Sequence, residues 1–214
     1  MILKQYEIKK INVNKNNIIL FYGQNQGAKE EEISNLLVLN KSENITKYDE
    51  KQLLDDPEFF YNEILSKSLF EDKKTIIINR ATDKIFKVVD YILEKNISDI
   101  TIIINSDLLE KKSKLRTLFE KDKKLVCVPF YPDNDQTLSK VAYNFLKDKK
   151  ISISSSNINL IVSKCFGERE NLINELQKIE FFSKSGKKID NENILKLINL
   201  IENHSITELV DNCL

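Results

Sequence analysis

Gly23, Gly27 and Lys29 stand between an apolar run and an amphipathic segment, the setting in which a backbone loop can cradle a phosphate. The chemistry is electrostatic: backbone N–H groups at a helix N-terminus face the anion, and a lysine reaches its outer oxygens. A working loop of this kind reads Gly-x-x-x-x-Gly-Lys-Ser/Thr. Here the string is Gly23-Gln24-Asn25-Gln26-Gly27-Ala28-Lys29-Glu30, so the second glycine comes one residue early and Ala28 stands directly before the lysine. Glu30 takes the place of the hydroxyl that would hold magnesium, and with Glu31 and Glu32 it puts three carboxylates in the expected first helical turn. Acids there suit the helix dipole but repel a triphosphate, by about 4 kcal/mol per pair of unit charges at contact distance near a surface. The apolar run Ile76-Ile77-Ile78 should then end in an acid that organises Mg²⁺; it ends in Asn79 and Arg80, and Asp83 comes too late. The residues describe a βα turn in a nucleotide-binding setting with the nucleotide chemistry removed.

No other constellation supplies catalysis. His204 is the only histidine, which leaves no metal pair and no Ser–His or Cys–His system; a solvated histidine at the end of a polar helix is expected. Cys127, Cys165 and Cys213 are far apart and lack CxxC spacing, so neither a zinc site nor a disulfide framework is indicated. The acid pairs Asp55/Asp56 and Asp133/Asp135 read as helix starts. Lys111, Lys112, Lys114 and Arg116 form a basic cluster that reads as the solvated face of a helix holding Leu115 and Phe119, with nucleic-acid contact as the alternative. Neither cofactor nor metal is expected.

The elements that would position these residues fall into two patterns. Residues 17–22, 75–78, 100–104 and 125–128 are short apolar runs rich in β-branched side chains, as expected of strands covered on both faces of a parallel sheet. Between them, residues 28–39, 83–95 and 108–121 carry apolar side chains at helical spacing. Alternating strand and helix predicts a doubly wound α/β domain. Beyond Pro129 and Pro132 the strands stop. Helices are expected from about Leu138 to Lys149, over 154–166 with Gly167 just past the end, over 168–182, and from an Asp190 cap through Ile194, Leu197, Ile198 and Ile201. The reading is an α/β domain at 1–135, a helical lid at 136–205, and the start of a further element at 206–214.

Composition narrows the function classes. Lys+Arg and Asp+Glu both total 33 in 214 residues, and only Arg80, Arg116 and Arg169 are arginines. A chain built mainly to grip nucleic acid carries a basic excess, because neutralised phosphates supply most of its affinity. There is no signal peptide and no apolar run of membrane-spanning length, so a reducing cytoplasm is the expected compartment.

Several strings, taken in order, resemble the delta subunit of the bacterial DNA polymerase III clamp loader. They are Phe21-Tyr22-Gly23 entering the loop, Ser68-Leu69-Phe70 before a hydrophobic strand, Leu108–Leu118 with its Leu-Glu-Lys-Lys-Ser-Lys-Leu-Arg stretch, Cys127–Pro129 at a strand exit, and Asn174-Glu175-Leu176-Gln177-Lys178. The resemblance covers nearly the whole chain. It implies an AAA+-like P-loop NTPase fold with a degenerate phosphate loop at Gly23, Gly27 and Lys29, followed by a helical lid. It also implies a protein of the DNA polymerase III holoenzyme that hydrolyses nothing itself but binds and opens the sliding clamp (the beta subunit). Leu69 and Phe70, with Ser68 before them, match the family's hydrophobic tip, which wedges into a pocket on the clamp. Loader ATPase and delta-prime subunits would be partners through a C-terminal collar domain that begins where this chain stops, DNA would be engaged indirectly, and no membrane is involved. The lack of a zinc-binding cysteine cluster favours delta over its sisters. From the residues alone, an active P-loop ATPase and a structural adaptor of another assembly stay open as alternatives.

Overall fold

The computed structural model describes residues 1–13, 15–42, 44–65, 74–95, 97, 100–186, 189 and 191–198. The chain folds as two compact units, Met1–Pro132 and one that begins at Asp133.

Among the described residues, the first unit is built on an all-parallel sheet of five strands: β1 (Ile18–Gly23), β2 (Asn44–Asp49), β3 (Lys74–Ala81), β4 (Ile100–Ser106) and β5 (Val126–Phe130), in the spatial order β2-β3-β4-β1-β5. In register, Leu20 lies beside Ile104 and Cys127, and Ile78 lies beside Ile104. Successive side chains of a strand point to opposite faces, which sorts the apolar runs into two cores. Ile18, Leu20, Tyr22, Ile76, Ile78, Ile102 and Ile104 pack under α2 (Glu50–Asp55), α3 (Pro57–Leu65), α4 (Phe86–Glu94) and α5 (Lys114–Lys121). Ile19, Phe21, Ile77, Ile103, Val126 and Val128 pack under α1 (Gln26–Leu39) and the N-terminal segment through Leu3, Ile8 and Val13. The continuous apolar strands are therefore covered on both faces, as their sequence predicts. Cys127 is buried there, and desolvation pushes its thiol up to about 11, so it behaves as a packing residue.

Three expectations are corrected. Strand β2 has no apolar run: it is an edge strand whose residues alternate between half-buried and exposed, held to the core by Tyr48, whose ring meets Phe60 edge-on at 5.5 Å. The helix expected over 108–121 begins only at Lys114, because Ser113 caps it by accepting the Arg116 N–H and Leu108 faces solvent. The helix expected over 83–95 opens with a 3-10 turn, Asp83–Ile85, before α4.

The second unit is a helical bundle of α6 (Asp135–Asp148), α7 (Ser155–Lys164), α8 (Arg169–Lys184) and α9 (Asn191–Leu197). Leu138, Ala142, Leu146, Ile158, Ile161, Leu172, Leu176, Ile179 and Ile194 share its core. Ser154 caps α7 through the Asn157 N–H, and Gly167 takes the left-handed φ of +82° that turns the chain into α8. Asp190, expected as the cap of the last helix, lies outside the described residues.

Candidate functional site

The C-terminal ends of β1, β3 and β4, together with the start of α1, are where a parallel α/β sheet places a ligand. The turn after β1 does bring Gly23, Gly27 and Lys29 together, but it spends the groups that a phosphate needs. Helix α1 starts at Gln26, so Gly27 is already helical. Asn25 is its cap: its side-chain oxygen accepts the Ala28 N–H at 3.0 Å, and its amide nitrogen donates to the Tyr131 carbonyl at 3.0 Å. A side chain thus occupies one of the amides that an anion would bind. The early start also moves Glu30, Glu31 and Glu32 beyond the first turn, which contains no acid; the expectation that they crowd the helix N-terminus is corrected.

Lys29 is the decisive residue. Its side chain is fully buried, with Nζ donating to the Ser106 carbonyl at 2.6 Å and lying 3.6 Å from the Asp107 carboxylate. In place of reaching a bound phosphate, it ties α1 to the end of β4. Burial lowers its pKa from the ordinary lysine value, and the exposed Asp107 only partly opposes this. The unfolded chain therefore holds the Lys29 proton more tightly than the folded one. Stability should rise with pH from the folded pKa up to the ordinary lysine value, and Lys29→Met should lose this slope. At neutral pH, Lys29→Met should leave stability within about 1 kcal/mol, since removing a buried charge offsets the lost hydrogen bond. Lys29→Ala, which also leaves a cavity, should lose about 2–4 kcal/mol. Urea unfolding of both variants across pH checks the order and the slope.

The rest of the sheet edge is equally unsuited to Mg²⁺-nucleotide. Asn79 ends the regular part of β3, and its side-chain oxygen accepts from Asn105 of β4 at 3.3 Å. The register breaks between Ile78 and Ala81, and Arg80 sits there at a left-handed φ of +55°, its guanidinium 2.8 Å from Asp49 of β2. These groups line a polar cleft of about 510 Å³ with Glu30 and Lys47. Among the described residues, no three carboxylate, histidine or cysteine groups are placed to hold a metal ion. Neither a triphosphate nor its magnesium fits this set of side chains.

Sequence reasoning missed the pairings that shape this edge, since they join residues from separate strands: Asn79 with Asn105, Arg80 with Asp49, and Glu50 of α2 with the Thr82 N–H and hydroxyl. It also misjudged Arg116, which is not a solvated cation. Its Nε meets Glu120 at 2.7 Å, one terminal nitrogen donates to the Leu109 carbonyl, and the guanidinium lies over the Tyr22 ring. Asp83 helps to build the same corner. Burial raises its pKa, but hydrogen bonds from the Ser113 hydroxyl and the Leu115 and Lys114 N–H groups outweigh this and hold the carboxyl below its usual range. Of the acid pair expected at a helix start, Asp135 opens α6 and Asp133, just before it, accepts from the Thr137 hydroxyl at 2.8 Å and also pairs with Arg169, while Asp56 caps α3 through the Phe59 N–H.

Ser68, Leu69 and Phe70 lie outside the described residues, as does His204. The described residues that flank this stretch in sequence, at the end of α3 and the start of β3, are joined by the Glu63–Lys74 ion pair.

No protein-family model and no curated protein sequence matches the chain. Solved structures share its fold. The DNA clamp loader delta protein YqeN of Bacillus subtilis matches over 97% of this chain with a TM-score of 0.63 and 14% identity, and the match spans 66% of that chain. Domain III of the Thermotoga maritima replication initiation protein DnaA matches 91% of this chain and 88% of its own, with a TM-score of 0.53 and 15% identity. The Thermotoga maritima RuvB Holliday junction branch migration motor matches 92% of this chain and 65% of its own, with a TM-score of 0.57 and 11% identity. At these identities the likeness is one of fold: an α/β, AAA+-like P-loop NTPase fold followed by a helical bundle. Among the described residues, no helix is long and apolar enough to cross a membrane.

Proposed function

We propose that this chain is a non-hydrolysing clamp-loader subunit that binds and helps to open a ring-shaped DNA sliding clamp. The carrying observation is the buried Lys29, hydrogen-bonded to the Ser106 carbonyl and so withdrawn from any phosphate. The same fold occurs in a branch migration motor, a replication initiation protein and a clamp loader delta protein. A disabled nucleotide loop favours the role in which the subunit grips a partner over one in which it turns over nucleotide.

The grip is assigned to Leu69 and Phe70, with Ser68 before them and the charged Glu71-Asp72-Lys73-Lys74 string after them. Two adjacent large apolar side chains beside a charged rim suit insertion into a pocket; burying both contributes roughly 3–6 kcal/mol before the costs of association. Contacts to loader ATPase and delta-prime subunits, and any indirect engagement of DNA, belong to the same proposal. Gating by those ATPases requires that the tip bind the clamp differently in their two nucleotide states.

Calorimetric titration of the chain with the sliding clamp encoded in the same genome tests this. Micromolar or tighter binding is expected, unaffected by ATP and weakened at least tenfold by the Leu69→Ala/Phe70→Ala double substitution with the fold intact. Absence of binding by the native chain overturns the function. Binding that survives the double substitution keeps the function and moves the site. Mg²⁺-dependent ATP hydrolysis by the purified chain would restore the enzyme reading.

A further inference from the structure

On the other side of the first unit from α1, the start of α4 and the length of α5 border an open groove of about 600 Å³. Its floor is apolar, made by the half-buried Phe86 and Leu118. Its rim is basic: Lys112, Lys114 and Lys121 line it, against a single carboxylate, Asp122. That carboxylate is partly engaged, accepting the Lys124 N–H at 2.7 Å, and Lys112 pairs with Glu110 at 2.9 Å across the exposed turn before α5. Lys114 and Lys121 are exposed. The volume matches one large side chain with its flanking backbone and is too small for a folded domain.

We propose that this groove docks an acidic peptide segment of a partner protein, one that seats an aromatic or large aliphatic side chain on Phe86 and Leu118 while its carboxylates face Lys114 and Lys121. Charge complementarity names the acidic partner, and the apolar floor names its anchor. Nucleic acid is the less suitable occupant. Its affinity rests on phosphate contacts, yet the groove contains no arginine, since Arg116 is committed to Glu120, the Leu109 carbonyl and the Tyr22 ring. Asp122 on the rim would oppose a phosphate, and Phe86 alone offers one stacking surface where a single strand is usually held by several. The inference does not depend on clamp binding, because no residue of the groove belongs to the Leu69–Phe70 tip.

The test uses the full chain and three fluorescent probes: a ten-residue peptide of aspartate and glutamate with one central phenylalanine, the same peptide with serine in place of phenylalanine, and a single-stranded oligonucleotide of equal length. Anisotropy at moderate salt is expected to show the phenylalanine peptide bound at least tenfold more tightly than the serine peptide. Lys114→Glu/Lys121→Glu, which alters only exposed side chains, should weaken it at least tenfold, with an unchanged circular dichroism spectrum and unchanged clamp binding. Equal affinity for the two peptides would reduce the groove to a charged surface and overturn the proposal. So would an oligonucleotide that binds more tightly than the phenylalanine peptide, binding that is indifferent to the charge reversal, or no binding of any probe.

Discussion

Gly23→Ala should lower the stability of the first unit by roughly 4 kcal/mol or more, enough to leave it largely unfolded under mild denaturant. Two independent effects act at this position. The backbone φ of Gly23 is +132°, a region that side-chain-bearing residues rarely adopt, and a Cβ built there would lie 2.0 Å from the carbonyl oxygen of Phe130. That oxygen belongs to the backbone of β5, the strand paired with β1 at this point, so relief would require the two strands to part. Gly23 also donates its N–H to the Asp107 carbonyl at 3.2 Å, which sets the mouth of the turn that carries Asn25 and Lys29. Urea unfolding followed by circular dichroism checks the effect. A midpoint unchanged from the native chain would contradict the close approach of β1 and β5.

The second large effect is expected in the helical unit. Arg169 of α8 holds Asp133 through two hydrogen bonds, Nε to one carboxylate oxygen at 2.7 Å and Nη2 to the other at 2.9 Å. Only 12% and 5% of the two side chains are exposed, so neither charge can turn to water when its partner is removed. Asp133→Ala should therefore lower stability by about 3–5 kcal/mol. Asp133→Ala combined with Arg169→Met should recover part of that loss, because the buried positive charge is gone and an apolar chain of similar length fills its place. A double-mutant cycle measured by urea unfolding separates this coupling from general damage. Additive losses would show that the pair contributes little beyond its individual contacts. The pair also fixes the chain where the bundle begins, which explains why an aspartate in a sequence position suited to helix capping leaves the capping to Asn134.

Much of the architecture was legible in the residues. Ile18–Phe21, Ile76–Ile78 and Ile102–Ile104 are apolar without interruption, and only burial on both faces of a sheet accommodates such runs. Ser154 marks the start of α7 because capping is a local property of the chain, while the helix ends at Lys164, two residues short of the expected 166 and before the turn that contains Gly167. Edge strand β2 escaped notice for the complementary reason. Its two apolar residues, Ile45 and Tyr48, are three apart and so fall on opposite faces, Ile45 exposed and Tyr48 half-buried, which leaves no period-2 apolar pattern to mark the strand. The false start of α5 at Leu108 shares this origin: helical spacing continues back through Leu108 and Leu109, but Ser113 and Asp83 take the N–H groups that begin the helix.

The reading of the βα turn as a degenerate phosphate loop rests on Ala28, Glu30 and Asn79, which stand at positions whose chemistry is set by spacing along the chain. The parallel α/β layer and the helical unit that follows it in the chain are legible in the same way, because hydrophobic periodicity is written in each segment separately. The partner that Lys29 takes in place of a phosphate is visible only once the chain is folded. The Ser106 carbonyl that receives it lies 77 residues away on another strand, and a buried ammonium takes whichever acceptor the packed sheet edge provides. The same holds for the Asn79–Asn105 and Asp133–Arg169 pairs, separated by 26 and 36 residues. Partners so distant in the chain meet only when strands or helices are laid side by side, and no local pattern of residue types encodes that meeting.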